Sequence, residues 1–294
     1  MNLKYRSCNL CGSSANKRIF TEKIHNKNDR MDFHIVKCLE CGFIYVNPID
    51  TDYTFSLYRI AQEGPSAKEL YYDQFEQKRQ INELLLTMLE SQLVQDARIL
   101  DIGCGTGAFL FYIMNKFHNL FGIDASKKEV SYAQSLGLNV IEGTAESVDT
   151  YFSQQFDAII MSDVLEHLEE PNLILSKCYG LLRNKGLLLL RIPNGSFQIC
   201  KAKLLSRLKS NQYRKPERSL IGSGEHLSHF SADTIAKMLD SNGFRRIRIF
   251  VSPVEPYKNR VANFLKRIYS PMSVAVYKTL GLMISNAIVV RCEK

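Results

Sequence analysis

Arg98-Ile99-Leu100-Asp101-Ile102-Gly103-Cys104-Gly105-Thr106-Gly107 is the stretch from which the architecture follows. An apolar run of strand length enters a loop with glycine at every second position, and a helical pattern over 108–117 follows. Glycines at such a junction let the backbone turn tightly and approach a ligand closely. The start of the helix adds unpaired N–H groups and partial positive charge. The next apolar run, Leu120-Phe121-Gly122-Ile123-Asp124, ends on an acid. It lies about 20 residues after the loop, where a carboxylate can bond two ribose hydroxyls.

Working outward, short apolar runs alternate with helical stretches. Val140-Ile141 opens a third strand, Phe156 to Met161 forms a fourth, a helix covers 171–183, and Leu187 to Leu190 forms a fifth strand. Pro171 suits the first turn of that helix. The runs are almost wholly apolar, as strands are when helices cover both faces of a sheet. The alternation predicts a doubly wound α/β sheet. It ends in a helix near 232–242, a strand near 246–251 and a last strand at Ala287-Ile288-Val289-Val290. Upstream, Leu84, Leu85, Met88, Leu89 and Leu93 recur at helical spacing and predict a helix over 66–93.

Alone, the glycine loop does not name a cofactor, because Gly103-x-Gly105-x-x-Ala108 also satisfies the dinucleotide fingerprint. Its context does. Ile99 to Gly107 resembles motif I of the class I S-adenosylmethionine (SAM)-dependent methyltransferases. So, in family order, do Gly122-Ile123-Asp124, Gly143-Thr144-Ala145-Glu146, Phe156-Asp157 through Asp163-Val164-Leu165-Glu166-His167-Leu168, and Leu181 through Pro193-Asn194. The resemblance implies a Rossmann-like seven-stranded sheet with an antiparallel last strand, and SAM as cofactor. By position it implies that Asp101 orients the methionine amino end, that Gly103, Gly105 and Gly107 form the loop beneath it, and that Asp124 binds the ribose. Ala145 and Glu146 would meet the adenine, and Asp163 would border the cofactor. Relatives often carry an acid at position 144 that bonds the adenine amine. Thr144 stands there in this chain.

Cys8-x-x-Cys11 and Cys38-x-x-Cys41 are separated by 26 residues, and each pair is followed by glycine. Two such pairs predict a structural Zn2+ held by four thiolates, with no open position for catalysis. The string Val36 to Pro48 resembles the zinc ribbon that precedes many bacterial methyltransferases, including sugar C-methyltransferases. The expected organisation is a zinc ribbon over 1–50, a helical connector over 51–95, and a SAM-binding domain over 96–294. Insertions are expected near 195–230 and 255–285.

Two groups offer catalytic chemistry. Asp163, Glu166 and His167 stand at i, i+3 and i+4, the spacing of one helical face. A similar acid-x-x-Glu-His motif in ubiquinone-pathway O-methyltransferases and small-RNA 3′-end methyltransferases can hold a divalent metal. The other group is Glu225-His226-Leu227-Ser228-His229-Phe230-Ser231. It resembles the Glu-His-x-x-Tyr-Phe-Ser element of zinc-ribbon sugar C-methyltransferases, whose His is a base candidate. His229 replaces the Tyr. With an ordinary pKa near 6.5, His226 suits proton removal at neutral pH. The expected catalytic residues are His226, His167 and Glu166.

The net charge of +8 suits nucleic acid, an anionic membrane surface or an anionic substrate equally. Lys201, Lys203, Arg207, Lys209, Arg214, Lys215 and Arg218 crowd one insertion, and Lys266 and Arg267 adjoin an apolar stretch in the other. Peripheral membrane contact and an anion-binding lid both fit. No apolar run suggests a signal peptide or a spanning helix, so a cytoplasmic location is expected. The expected function is methyl transfer from SAM to a small-molecule acceptor, led by a sugar, a nucleotide sugar or a related cell-envelope or secondary-metabolite precursor. An RNA methyltransferase using the ribbon and the basic insertion, and a non-catalytic SAM-binding partner protein, stay open.

Overall fold

A computed structural model describes residues 2–25, 30–52, 66–207, 221, 225–253, 272–273, 275–276, 279 and 283–294. Lys209, Arg214, Lys215, Arg218, Lys266 and Arg267 therefore lie outside the described residues, as do 208–220 and 222–224 of the first insertion and most of the second. Among the described residues no helix is long and apolar enough to cross a membrane.

The N-terminal part contains β1 (Leu3–Lys4), β2 (Asn16–His25), β3 (Arg30–Cys38), β4 (Ile44–Val46) and β5 (Ile49–Asp50). Helices α1 (Ala67–Gln77) and α2 (Arg79–Glu90) follow. The expected single helix over 66–93 is thus two, broken at Lys78, whose amine turns to Asp163 at 2.9 Å. The large domain continues with β6 (Arg98–Ile102), α3 (Ala108–Ile113), β7 (Asn119–Asp124), α4 (Lys127–Ser135), β8 (Val140–Glu142), α5 (Val148–Tyr151) and β9 (Phe156–Ser162). Next come α6 (Pro171–Leu181), β10 (Leu182–Pro193), α7 (Gly195–Arg207), β11 (Ser228–His229), α8 (Ala232–Ser241), β12 (Arg245–Val251) and β13 (Ala287–Glu293). Helix α6 stops two residues before the expected end because Leu182 already pairs with Phe156 of β9, ahead of a bulge that leads to Leu187.

The central sheet has seven strands in the order β12-β13-β10-β9-β6-β7-β8. β13 runs antiparallel to both its neighbours, and the pairings of β6 through β10 are parallel. The expected antiparallel last strand is therefore present. Alternate residues feed two cores. Leu188, Leu190 and Ile192 pack on one face with Ile159 and Met161, and Leu187 and Leu189 pack on the other with Ala158 and Ile160. That is the period-two geometry of a strand covered on both sides. Strand order reverses at β6, so the crevice at the carboxyl ends of β6, β7 and β9 is where a ligand is expected in such a sheet.

The cysteine module does not stand apart. Strands β11-β4-β3-β2 form one sheet, so a strand from just before α8 is added to the N-terminal hairpin. Cys8, Val36, Cys38, Phe43 and Tyr45 share a core with Leu168, Ile174 and Phe230 of the large domain. Phe43 stacks near Tyr45 and Phe230, with ring centroids 5.9 and 5.4 Å away. All three rings are fully buried.

Candidate active site

The glycine loop sits at the crevice as expected. Gly103 N donates to Ile123 O at 2.8 Å, tying the loop to β7. Gly103 has φ +73°, and a Cβ there would lie 2.4 Å from Val164 Cγ2. Only glycine allows that approach between the loop and the turn after β9. Asp124 closes the loop from the next strand. Its Oδ2 accepts from Gly105 N and its Oδ1 from Ser126 N, each at 2.8 Å. Burial pushes its carboxyl above the usual range, and these two N–H groups oppose the shift.

Two lobes meet at this loop. One is a cleft of about 640 Å³, open to solvent, whose lining includes Asp124, Thr144, Ala145, Glu146, Asp163 and His167. Thr144 and Ser147 form a capping box that starts the 3₁₀ turn Ala145–Ser147, with Thr144 N donating to Ser147 Oγ at 3.1 Å. The missing acid at 144 is thus replaced by a residue that shapes the turn. The other lobe brings Lys78, Asn82, Asp101, Gly105, Phe109 and Ser162 together. Asp101 is 4% exposed. Burial, with Asp124 adding repulsion and Lys78 opposing it, lifts its carboxyl to about 8. A buried acid beside a cation is suited to a zwitterion, ammonium to Asp101 and carboxylate to Lys78.

Asp163 does not share a face with Glu166 and His167, contrary to the helical spacing. Its φ is +60°, and the 3₁₀ turn Leu165–His167 starts only after it. Lys78 at 2.9 Å and Arg191 hold its side chain, and its own N–H donates to Arg191 O at 2.8 Å. Burial disfavours charge on Asp163, but these two cations overcome it and hold the carboxyl down at about 2. Lys78 gave no sequence signal. Arg191 did, since it is a charge inside an otherwise apolar strand run, a place where arginine seldom sits without a partner.

The segments around His167 and His226, far apart in sequence, do meet. Their rings pack edge to face with centroids 4.8 Å apart. His167 Nδ1 lies 3.0 Å from Glu225 O. The carbonyl can only accept, so Nδ1 carries the proton and Nε2 keeps its lone pair. That Nε2 lies 3.9 Å from Glu166 Oε1. Glu166 is 1% exposed, and neither carboxyl oxygen has a hydrogen-bond partner. Burial, with Asp163 next, pushes it well above the usual carboxylate range. His226 corrects the expected near-neutral titration. Burial, with His167 beside it, lowers it to about 4, so it is neutral at pH 7 but a weaker base than an exposed imidazole. His229 is 3% exposed, and its backbone pairs with Ile44 of β4. It serves the strand junction, where Gly195 packs so closely that a Cβ would meet its Cβ at 2.6 Å.

The four paired cysteines also converge. Sγ atoms of Cys8 and Cys41, and of Cys11 and Cys38, are 3.5 Å apart, and all four lie within 4.8 Å of one another. Gly12 and Gly42, at φ +75° and +79°, close the two turns, with Gly12 N donating to Cys8 O at 2.7 Å and Gly42 N to Cys38 O at 3.2 Å. This spacing fits a tetrahedral ion with sulfur ligands at about 2.3 Å.

A methyltransferase domain family matches residues 72–249, more than half of the chain. The chain belongs to the class I SAM-dependent methyltransferase domains. A probable (S)-tetrahydroprotoberberine N-methyltransferase of Papaver bracteatum is 30% identical to this chain over 105 residues, 33% of this chain and 29% of the relative. A ubiquinone biosynthesis O-methyltransferase of Pseudomonas entomophila (strain L48) is 23% identical over 120 residues, 38% of this chain and 52% of the relative. The chain thus spans about half or less of the length of these relatives. The plantazolicin methyltransferase BamL, crystallised with a triazolic desmethylPZN analogue and SAH, shares the fold. It has a TM-score of 0.52 at 18% identity, over 83% of this chain and 98% of that one.

Proposed function

We propose that this methyltransferase transfers the methyl group of SAM to a small-molecule acceptor. The observation that carries the proposal is the two-lobed crevice, in which the Asp101–Lys78 end fits a zwitterion, Asp124 stands beside the glycine loop, and His167 lines the cleft. Asp101 and Lys78 would hold the methionine end of SAM, Asp124 the ribose, and the Ala145–Glu146 turn the adenine. SAM supplies a methyl group already activated for in-line displacement. The chain must align the acceptor and, for an O–H, N–H or C–H nucleophile, take its proton. His167 lines the cleft, and its Nε2 lone pair would take that proton. A proton arriving there sits 3.9 Å from Glu166 Oε1 and draws that carboxyl toward its ionised form. His226 holds the His167 ring from its edge. A sugar, nucleotide sugar or related precursor is the leading acceptor class, supported by the resemblance of the N-terminal cysteine module to ribbons of sugar C-methyltransferases. The four thiolates of that module would hold Zn2+.

One observation favours a second chemistry at the same side chains. Ligand atoms of Glu166, His167 and His226 lie within 4.8 Å of one another, and Glu166 Oε1, Oε2 and His226 Nδ1 lack partners. A carboxylate with two imidazoles suits a divalent cation. Asp163, bound to Lys78 and Arg191, is not in this set.

Labelled SAM incubated with the chain and a fractionated cell extract tests the proposal. Label is expected in a small-molecule fraction. Label in the RNA fraction overturns it in favour of an RNA acceptor, and SAM binding without any transfer overturns it in favour of a non-catalytic partner. His167→Ala is expected to leave SAM affinity intact and lower turnover by about 10²–10⁴-fold. Turnover lost on mild chelation with the cysteine-bound zinc retained, and restored by Mg2+ or Mn2+, decides for the cation.

A further inference from the structure

We infer that Arg6, outside the methyltransferase motifs, is a positioning residue for the His167–His226 pair, so that the N-terminal cysteine module sets the geometry of the acceptor end of the site. This inference rests on the roles proposed above for the two histidines. The guanidinium of Arg6 donates to three carbonyls from three separate segments: Val46 at 3.2 Å, Glu169 at 2.8 Å, and Leu227. Val46 ends β4. Glu169 stands two residues after His167, and Leu227 stands one residue after His226. One side chain therefore ties the two histidine-bearing segments to each other and to the cysteine module.

Arg6 is itself held. Its N–H donates to Asn47 Oδ1 at 3.0 Å, and Asn47 Nδ2 donates to Arg6 O at 3.2 Å. Its guanidinium lies over the Tyr45 ring, 5.3 Å from the centroid. Two further contacts converge on the His167 side: Asn9 Nδ2 donates to Glu169 O at 2.7 Å, and Lys4 pairs with Glu169 Oε2 at 2.7 Å. On the other side, Leu227 O also accepts from Val46 N at 3.0 Å. A planar fork with five donors can reach several carbonyls in fixed directions, which a lysine ammonium cannot reproduce. The two rings meet at an interplanar angle of 74°. A shift of about 1 Å in one of their segments is enough to cost about 10²-fold in rate.

The test uses the full chain with its zinc. Arg6→Ala is expected to retain zinc and SAM affinity, lower kcat by about 10–10²-fold, and shift the imidazole NMR signals of His167 and His226. In a His167→Ala background the same substitution is expected to add less than about twofold, because the group it positions is already gone. Arg6→Lys, which keeps the charge and loses the fork, serves if the alanine variant does not fold, and is expected to show the same imidazole shifts with a smaller loss. Wild-type kcat in Arg6→Ala, or a full additive loss with unmoved imidazole signals, overturns the inference. If His226→Ala alone leaves turnover unchanged, the role proposed for His226 in holding the His167 ring fails. The imidazole signals in Arg6→Ala then decide by themselves whether Arg6 sets the pair.

Discussion

Asp101, at the end of the central strand, has its carboxyl lifted to about 8 by burial and by Asp124 nearby. An ammonium group arriving beside it favours the ionised form, so binding SAM releases a proton below that pH. Affinity for SAM is then expected to rise with pH, by up to about tenfold per unit, and to level off near pH 8. Calorimetry in buffers of different ionisation enthalpy reads the released proton directly, and Asp101→Asn should abolish both effects. Asp124→Ala is expected to weaken SAM by about 1.5–3 kcal/mol, through loss of charge-assisted bonds, while freeing Gly105 N from its present acceptor. His229 tests the interior. Burial lowers it to about 3, so the unfolded chain binds its proton first. Its contribution to stability is complete above the unfolded value near 6.5 and falls as pH drops toward 3. The limiting slope is about 1.4 kcal/mol per pH unit. Thermal melts from pH 7 to 4 should show a shallower decline in His229→Gln. Asp124 is marked in the sequence because strand, loop and acid lie at fixed offsets, and Asp101 is marked only by the resemblance of its strand to motif I. Lys78 is not, since nothing local marks a lysine at a helix break as the partner of an acid 85 residues on.

At the scale of elements, the loop after β6 and the turn after β9 are fitted to each other at Gly103. Gly103→Ala puts a Cβ 2.4 Å from Val164 Cγ2 in a left-handed conformation. A loss of about 1–3 kcal/mol is expected, and adding Val164→Ala should recover the steric part but not the backbone part. Chemical denaturation of the two single variants and the double separates these terms. The alternation of apolar runs announced β6, β7, β9 and β10 because buried parallel strands have no polar face to blur them. The N-terminal hairpin of β2 and β3 shows no clean apolar alternation, because its strands carry interspersed Lys, Arg, Glu and His. β11 has only two residues, too few to carry a period.

At the scale of the molecule, the cysteine module and the large domain share one core through Phe43, Tyr45 and Phe230. Metal loss should therefore not be confined to the N-terminus. Purified protein is expected to carry zinc at its four thiolates, and Cys38→Ser to lose it, because the binding energy of such a site is folding energy. If β4 depends on the metal, its pairing with β11 loosens as well. Hydrogen exchange should then show reduced protection at Ser228 and His229 as well as at β3 and β4. Unchanged protection at Ser228 and His229 in zinc-free protein would show the two parts to be independent.

The sequence by itself determined the parallel α/β sheet, the position of the glycine loop, the acid that faces it and the pairing of the four cysteines. Each of these is written in local spacing, where a two-residue period, a strand-to-helix turn or a Cys-x-x-Cys knuckle has one geometric meaning. Only the tertiary structure decided which acids and histidines meet. Asp163 leaves its expected neighbours because Lys78 and Arg191 supply the charge it needs in a buried place. Glu166 and His167 meet His226 instead, because β11 pairs with β4 and Arg6 ties their flanking carbonyls together. Such contacts join segments with no shared period. Their energy comes from burial and ion pairing between elements, which spacing along the chain does not encode.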